Sequence, residues 1–265
     1  MKTKIRRIFS ILMLIILILV LATLIAGAIA KANLAKQYPA PGQLVDVGGY
    51  KMHIYCIGQG SPTVILGGGT LENSLFWAGI QPEVARYTRV CSYDRAGSGW
   101  SEPGPQPRTT TVMAEELHTL LVNAHIQGPY VLVGHSLGGV LMRVYTHNYP
   151  DEVVGMILVD SLHEGKIVHS PEFQKRLLDE NIRQLRMLTW LSSTGIMALA
   201  PQNIPNPGIP DDANAQLQAT TSTSEIFETN VAELEVMEAS LNEVLALHIT
   251  SFGDLPLIVL SAGRN

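Results

Sequence analysis

The stretch best suited to chemistry is Gly134-His135-Ser136-Leu137-Gly138-Gly139, a serine bracketed by glycines and preceded by the apolar run Val131-Leu132-Val133. The run reads as a buried strand and the residues after it as a helix, so Ser136 falls on a tight strand-to-helix turn. Small residues at Gly134 and Gly138 let the backbone fold sharply enough to lift the hydroxyl clear. A hydroxyl displayed in this way is a nucleophile for acyl transfer once a base takes its proton. The helix start adds a second effect: the Leu137 amide points at the space where a tetrahedral oxyanion forms, and the helix dipole favours negative charge there. A second donor is expected from Leu66-Gly67-Gly68-Gly69-Thr70, whose glycines let a substrate carbonyl approach the backbone. Thr70 is the candidate for that amide.

The elements that must position these residues alternate between short strands and longer helices, which implies a mostly parallel sheet with helices on both faces. Strands are predicted at 43–47, 51–57, 63–66, 89–93, 130–133, 155–159 and 255–260, the first two joined by a tight hairpin at Gly48-Gly49. Helices are predicted at 109–125 and 137–149, the second ending before Pro150. The strands near Val159 and Leu255 lie about ninety residues apart, far beyond an ordinary crossover connection. That insertion, about 164–252, has helical patterns of its own at 171–191 and 224–248 around a Pro-rich break at 201–210, and it reads as a helical cap.

Ahead of this unit, residues 8–30 are almost wholly Ile, Leu, Val and Ala without a charge, long enough to span the roughly 30 Å hydrocarbon core of a bilayer. Lys2, Lys4, Arg6 and Arg7 precede the run, whereas only Lys31 and Lys36 follow it closely. The positive-inside rule then puts the N-terminus in the cytoplasm and the globular part outside. Residues 1–30 therefore read as a basic flank and transmembrane anchor, 31–42 as a linker and 43–265 as the catalytic unit. The alternative is a secreted protein whose signal peptide is cleaved after Ala28-Ile29-Ala30, although that apolar region should span only about 7 to 15 residues. Composition fits one α/β domain plus an anchor: 265 residues, 46% apolar, 15% charged, mean hydropathy +0.19. Past Ala30, 14 basic residues face 23 acidic ones with no basic run, so nucleic acid is not an expected partner.

Over about residues 43–263 the chain resembles the α/β-hydrolase superfamily. The likeness rests on the glycine loop, on Tyr93-Asp94-Arg95-Ala96-Gly97-Ser98-Gly99-Trp100-Ser101, on the Ser136 elbow and on Leu158-Val159-Asp160. It implies hydrolytic chemistry with a helical cap shaping the pocket. A serine nucleophile, where dehalogenases and epoxide hydrolases use aspartate, favours ester, amide or related acyl transfer. Most relatives carry His-Gly where this chain has Gly68-Gly69. Some relatives place the acid of the triad after the sixth strand, which implies Asp160, with Glu164 a weaker alternative. Asp94 and Arg95 read as braces for the loop near the pocket.

The histidine of such a triad belongs after an eighth strand, and this sequence stops after the seventh. His53, His118, His125 and His147 read as surface or core residues, while His135 should point into the sheet top. His163 lies just past a strand's carboxyl end and is a candidate surrogate base, the identity of the base being left open. The expectation is therefore a C-terminally incomplete chain, nearly inactive as written, with the apolar segment 257–260 exposed at a sheet edge.

The sheet order that the resemblance implies makes the strands of Cys56 and Cys91 neighbours. A cross-strand disulfide then fits an oxidising compartment. Buried free thiols are the expectation, because strand neighbours often miss the Cα separation of about 4.4 to 6.8 Å that a bridge needs.

The reading is a membrane-anchored serine hydrolase acting on a small uncharged or apolar ester or amide, with no metal or organic cofactor required. The alternative is a catalytically silent, membrane-tethered binding domain that keeps the pocket and lacks the base.

Overall fold

A computed structural model describes residues 2–165, 172–222 and 224–263. It begins with one long helix, α1 (Lys2–Gln37). The helix continues through residues 31–37, where the sequence suggests a linker, because that stretch is rich in Ala, Leu and Lys and the first breaker is Pro39. Only residues 38–42 separate α1 from the sheet.

The strands are β1 (Gln43–Asp46), β2 (Lys51–Ile57), β3 (Thr63–Gly67), β4 (Val90–Tyr93), β5 (Tyr130–His135), β6 (Val153–Val159) and β7 (Leu257–Leu260). They form one sheet in the order β1-β2-β4-β3-β5-β6-β7. The β1–β2 and β2–β4 pairs are antiparallel and the rest parallel. The expected hairpin closes at Gly48-Gly49, where the Asp46 carboxylate accepts from both glycine amides.

Short helix α2 (Gln81–Val84), α3 (Thr110–Asn123) and α4 (Leu137–Asn148) complete the α/β unit. Alternation along the strands divides the core. Ile65, Leu132 and Met156 pack with Met113, Leu117 and Leu141 of α3 and α4. Val64, Leu66, Val90 and Val133 pack on the opposite face with Trp77 and Val84. Both faces are thereby covered, as a parallel sheet requires.

The cap lies between β6 and β7 and consists of α5 (Glu172–Ser193), α6 (Asp211–Thr221), α7 (Ser224–Glu235) and α8 (Met237–Ala246). The helix predicted at 224–248 is two helices broken at Val236, and α6 occupies a stretch where the sequence pattern predicts no helix. The predicted start of the first cap helix, Pro171, lies outside the described residues. β7 pairs only with β6 among the described residues, and all four of its apolar residues are exposed.

The cysteines correct an expectation. Cys56 and Cys91 stand directly opposite across the antiparallel β2–β4 pair. Their Cα atoms are 4.0 Å apart and the sulfurs are bonded. Facing positions of an antiparallel ladder are the closest that two strands offer, and this register brings the thiols together.

Candidate active site

Ser136 occupies the turn between β5 and α4 with φ 51° and ψ −119°, a conformation that costs a non-glycine residue on the order of 1–3 kcal/mol. Its surroundings hold it there. The Ser136 amide donates to the Val159 carbonyl (3.1 Å), and its own carbonyl accepts from Gly139 (3.0 Å) and Leu162 (3.1 Å). The elbow is thus pinned to the end of β6 and the loop beyond it.

The neighbouring glycines serve proximity, and Ser136 itself bears the unusual φ. A Cβ at Gly134 would lie 2.5 Å from the Gly138 carbonyl oxygen, and one at Gly138 would lie 2.6 Å from the carbonyl oxygens of Gly67 and Gly68. Leu137 is buried and opens α4, so its amide is among the helix's N-terminal donors that lack an intrahelical acceptor.

The glycine loop after β3 lies against the elbow: a Cβ on Gly69 would approach that of Ser136 to 2.9 Å. Two charged side chains and an amide fix this loop. Arg95 donates from Nη1 to the Gly68 carbonyl (2.7 Å) and from Nη2 to the Gly69 carbonyl (2.9 Å). The same guanidinium forks onto Glu233 of α7, both bonds 3.1 Å, with the two side chains almost fully buried. Burial works against the Arg95 charge, but Glu233, with Tyr93 and Glu72 adding to it, leaves the Arg95 pKa raised. Glu72 takes the Gly69 amide (2.6 Å) on the carboxylate oxygen that also meets His135 Nδ1 at 2.9 Å. Asn230 of α7 accepts from the Leu71 amide (2.7 Å). Between these anchored residues, the Thr70 amide has no acceptor among the described residues.

Asp94 is fully buried and accepts from the Ser74 amide (2.6 Å), the Trp100 amide (3.0 Å) and the His53 ring (2.9 Å). Asp94 and Arg95 are braces, as the sequence indicates. His53 belongs to the same buried cluster.

At the end of β6, Asp160 has φ 40° and its amide donates to the Leu260 carbonyl (2.7 Å). Its side chain is exposed and has no hydrogen-bond or ion-pair partner among the described residues. His163 is 69% exposed, its Nδ1 accepting the Gly165 amide at 3.1 Å. Glu164 is committed elsewhere: it makes a two-pronged bond to Arg143 of α4, at 2.5 and 2.7 Å. Burial pushes its carboxyl up, the bonds to Arg143 pull it down further, and the net pKa is lowered. Ser136, Leu137 and the glycine loop with Thr70 are therefore brought together, whereas Asp160 and His163 are not hydrogen-bonded to each other. The sequence reading missed Glu72, Asn230 and Glu233. The two helical residues look like ordinary polar positions, and none of the three carries a local motif.

Residues 62–191 match the family profile described as the alpha/beta hydrolase fold. An uncharacterized protein of Schizosaccharomyces pombe is 32% identical over 187 residues, covering 59% of this chain and 34% of that protein. An uncharacterized vacuolar membrane protein of Saccharomyces cerevisiae is 32% identical over 147 residues, 49% of this chain and 22% of that protein. The chain thus spans about a third or less of either relative. Among solved structures, the haloalkane dehalogenase DatA of Agrobacterium tumefaciens superposes with a TM-score of 0.62 at 18% identity, over 83% of this chain and 79% of that one. With the sheet order, the elbow, the glycine loop and the cap in place, these likenesses identify the chain as a member of the α/β-hydrolase superfamily.

Proposed function

We propose that the protein is a membrane-anchored serine hydrolase that cleaves an ester or related acyl bond in a small, uncharged or apolar molecule. The observation that carries this reading is Ser136 itself, held at φ 51° and ψ −119° on a strand-to-helix turn beside the glycine loop. A serine has no packing reason to occupy so costly a conformation, and display of its hydroxyl is the use of it.

In this reading the Ser136 Oγ attacks the substrate carbonyl carbon as its proton passes to a histidine. The Leu137 and Thr70 amides donate to the oxyanion, and the fixed positions of Gly68, Gly69 and Leu71 hold the Thr70 amide ready. The leaving group takes the proton as the acyl-enzyme forms, and water then releases the acyl group. Asp160 is the acid that orients the base. His163 is the candidate base just past β6; its Nδ1 accepts from the Gly165 amide, so to act it must leave that bond and carry its proton on Nδ1, which frees Nε2 to receive one. α1 anchors the enzyme, with the basic flank cytoplasmic and the domain outside. The Cys56–Cys91 bridge supports that side, since disulfides persist in oxidising compartments.

One observation favours a second reading, a tethered binding domain without catalysis: among the described residues no histidine is bonded to Asp160. A fluorophosphonate probe separates the two. Rapid labelling of the wild type that is lost in Ser136→Ala supports the hydrolase. Labelling no faster than in Ser136→Ala refutes it and leaves the binding domain.

A further inference from the structure

One face of α1 packs against the domain. Residues 4–22 are all exposed, whereas Thr23, Gly27, Ala30, Lys31 and Leu34 of the helix, and Tyr38 just past it, are buried or half-buried, a helical stripe. At Gly27 the approach is backbone to backbone: a Cβ there would lie 2.7 Å from Gly195 Cα, and one on Gly195 would lie 2.6 Å from Gly27 Cα. Gly195 belongs to the cap, two residues past the end of α5.

The level of this crossing on α1 fixes the depth of the cap. Centring the uncharged segment 8–30 in a bilayer puts Gly27 about 12 Å from the midplane, inside a hydrocarbon half-thickness of about 15 Å. The 3-10 turn Ile196–Leu199 follows Gly195 directly. Residues three apart in such a turn share a side, and Ile196 and Leu199 are 46% and 45% exposed while Ala198 between them is buried. On the last turn of α5, Trp190 is 65% exposed. Trp is the residue that settles at the boundary between acyl chains and headgroups. We infer that the cap is part-embedded in the bilayer leaflet on the domain's side, with Ile196, Leu199 and Trp190 facing lipid beside α1. This rests on reading α1 as a membrane span. The occupant of the apolar surface is the phospholipid leaflet, because the Gly27–Gly195 contact holds that surface at acyl-chain level.

The test uses the full chain in phosphatidylcholine vesicles and reads tryptophan emission, independent of any activity. Lipid spin-labelled near the top of the acyl chain should quench the component lost in Trp190→Phe, and acrylamide quenching of that component should fall severalfold from its value in the denaturant-unfolded chain. If the protein floats with the vesicles while Trp190 stays open to acrylamide and untouched by the spin label, the cap stands clear of lipid and the inference is overturned. Failure to float would overturn the span and the inference together. Ser136 labelling measured on the same vesicles reports separately on the hydrolase reading.

Discussion

Replacing Glu233 with Gln tests whether the cap holds the glycine loop after β3 through a buried charge pair. Glu233 and Arg95 are 1% and 4% exposed, and Glu233→Gln leaves the guanidinium buried without its counter-charge. Breaking a buried pair from one side typically costs about 3–5 kcal/mol. Arg95 keeps its bonds to the carbonyls of Gly68 and Gly69, which places the cost near the lower end, about 3 kcal/mol. For a domain of this size that is a fall in Tm of about 6 to 12 °C. Arg95→Met should be worse, because it also leaves those two carbonyls without their donor, at about 1–3 kcal/mol for each buried group. An internal control lies two residues along α7: Glu235 pairs with Arg186, but these side chains are 42% and 65% exposed. Glu235→Gln should therefore cost no more than about 1 kcal/mol. Thermal unfolding of the three variants in detergent micelles is the assay. Equal shifts for Glu233→Gln and Glu235→Gln, or Arg95→Met milder than Glu233→Gln, would refute the assignment of the pair as the cap's anchor.

Two further outcomes can be checked on the same preparation. The Cys56–Cys91 bridge closes a loop with a sequence separation of 35, worth about 4 kcal/mol by loop-closure entropy. The double Cys→Ser variant should unfold at correspondingly lower temperature, and a Tm equal to wild type would rule that contribution out. Glu164, whose pKa is lowered from 4.5 by the balance favouring Arg143, contributes stability that is fully present above its unfolded pKa. That contribution is lost as pH falls through the lower folded value. The Tm gap between wild type and Glu164→Gln should thus be widest near neutrality and shrink in acid, and a gap that widens in acid contradicts the Arg143 pairing.

Ser136 was legible because its signal is local: an apolar strand, a tight turn and a helix follow one another within a short run of consecutive residues. The hairpin at Gly48-Gly49 was legible for the same reason. The residues that fix the glycine loop were not, because their partners are remote in sequence. Asn230 holds the Leu71 amide across 159 residues, and Glu233 reaches Arg95 across 138. On a helix that also carries Glu225, Glu228 and Glu235, nothing in the pattern distinguishes Glu233 from a solvated glutamate. The cysteine pair depended on register, since shifting β2 by one residue against β4 would have turned the thiols to opposite faces. The break at Val236 has no glycine or proline to announce it. The end of α1 is marked by Pro39, and it is hard to place only because helix-forming residues reach so far beyond the apolar run.

The contacts of α7 make the cap a structural part of the site. Glu233 holds the residues carrying the Gly68 and Gly69 carbonyls through Arg95, and Asn230, one turn earlier, holds the Leu71 amide. Thr70 lies between those fixed points, so the direction of its amide depends on α7 from both sides. The same α7 packs on α5, and α5 ends beside Gly195 at the crossing with α1. A continuous set of packed elements therefore joins the apolar helix α1 to the loop that faces Ser136. This is why Glu233→Gln should be followed by labelling of Ser136 as well as by unfolding. A variant that lost stability alone would label at the wild-type rate in its folded fraction, whereas one that also let Gly68 and Gly69 turn would misdirect the Thr70 amide and label more slowly at temperatures where both proteins are fully folded.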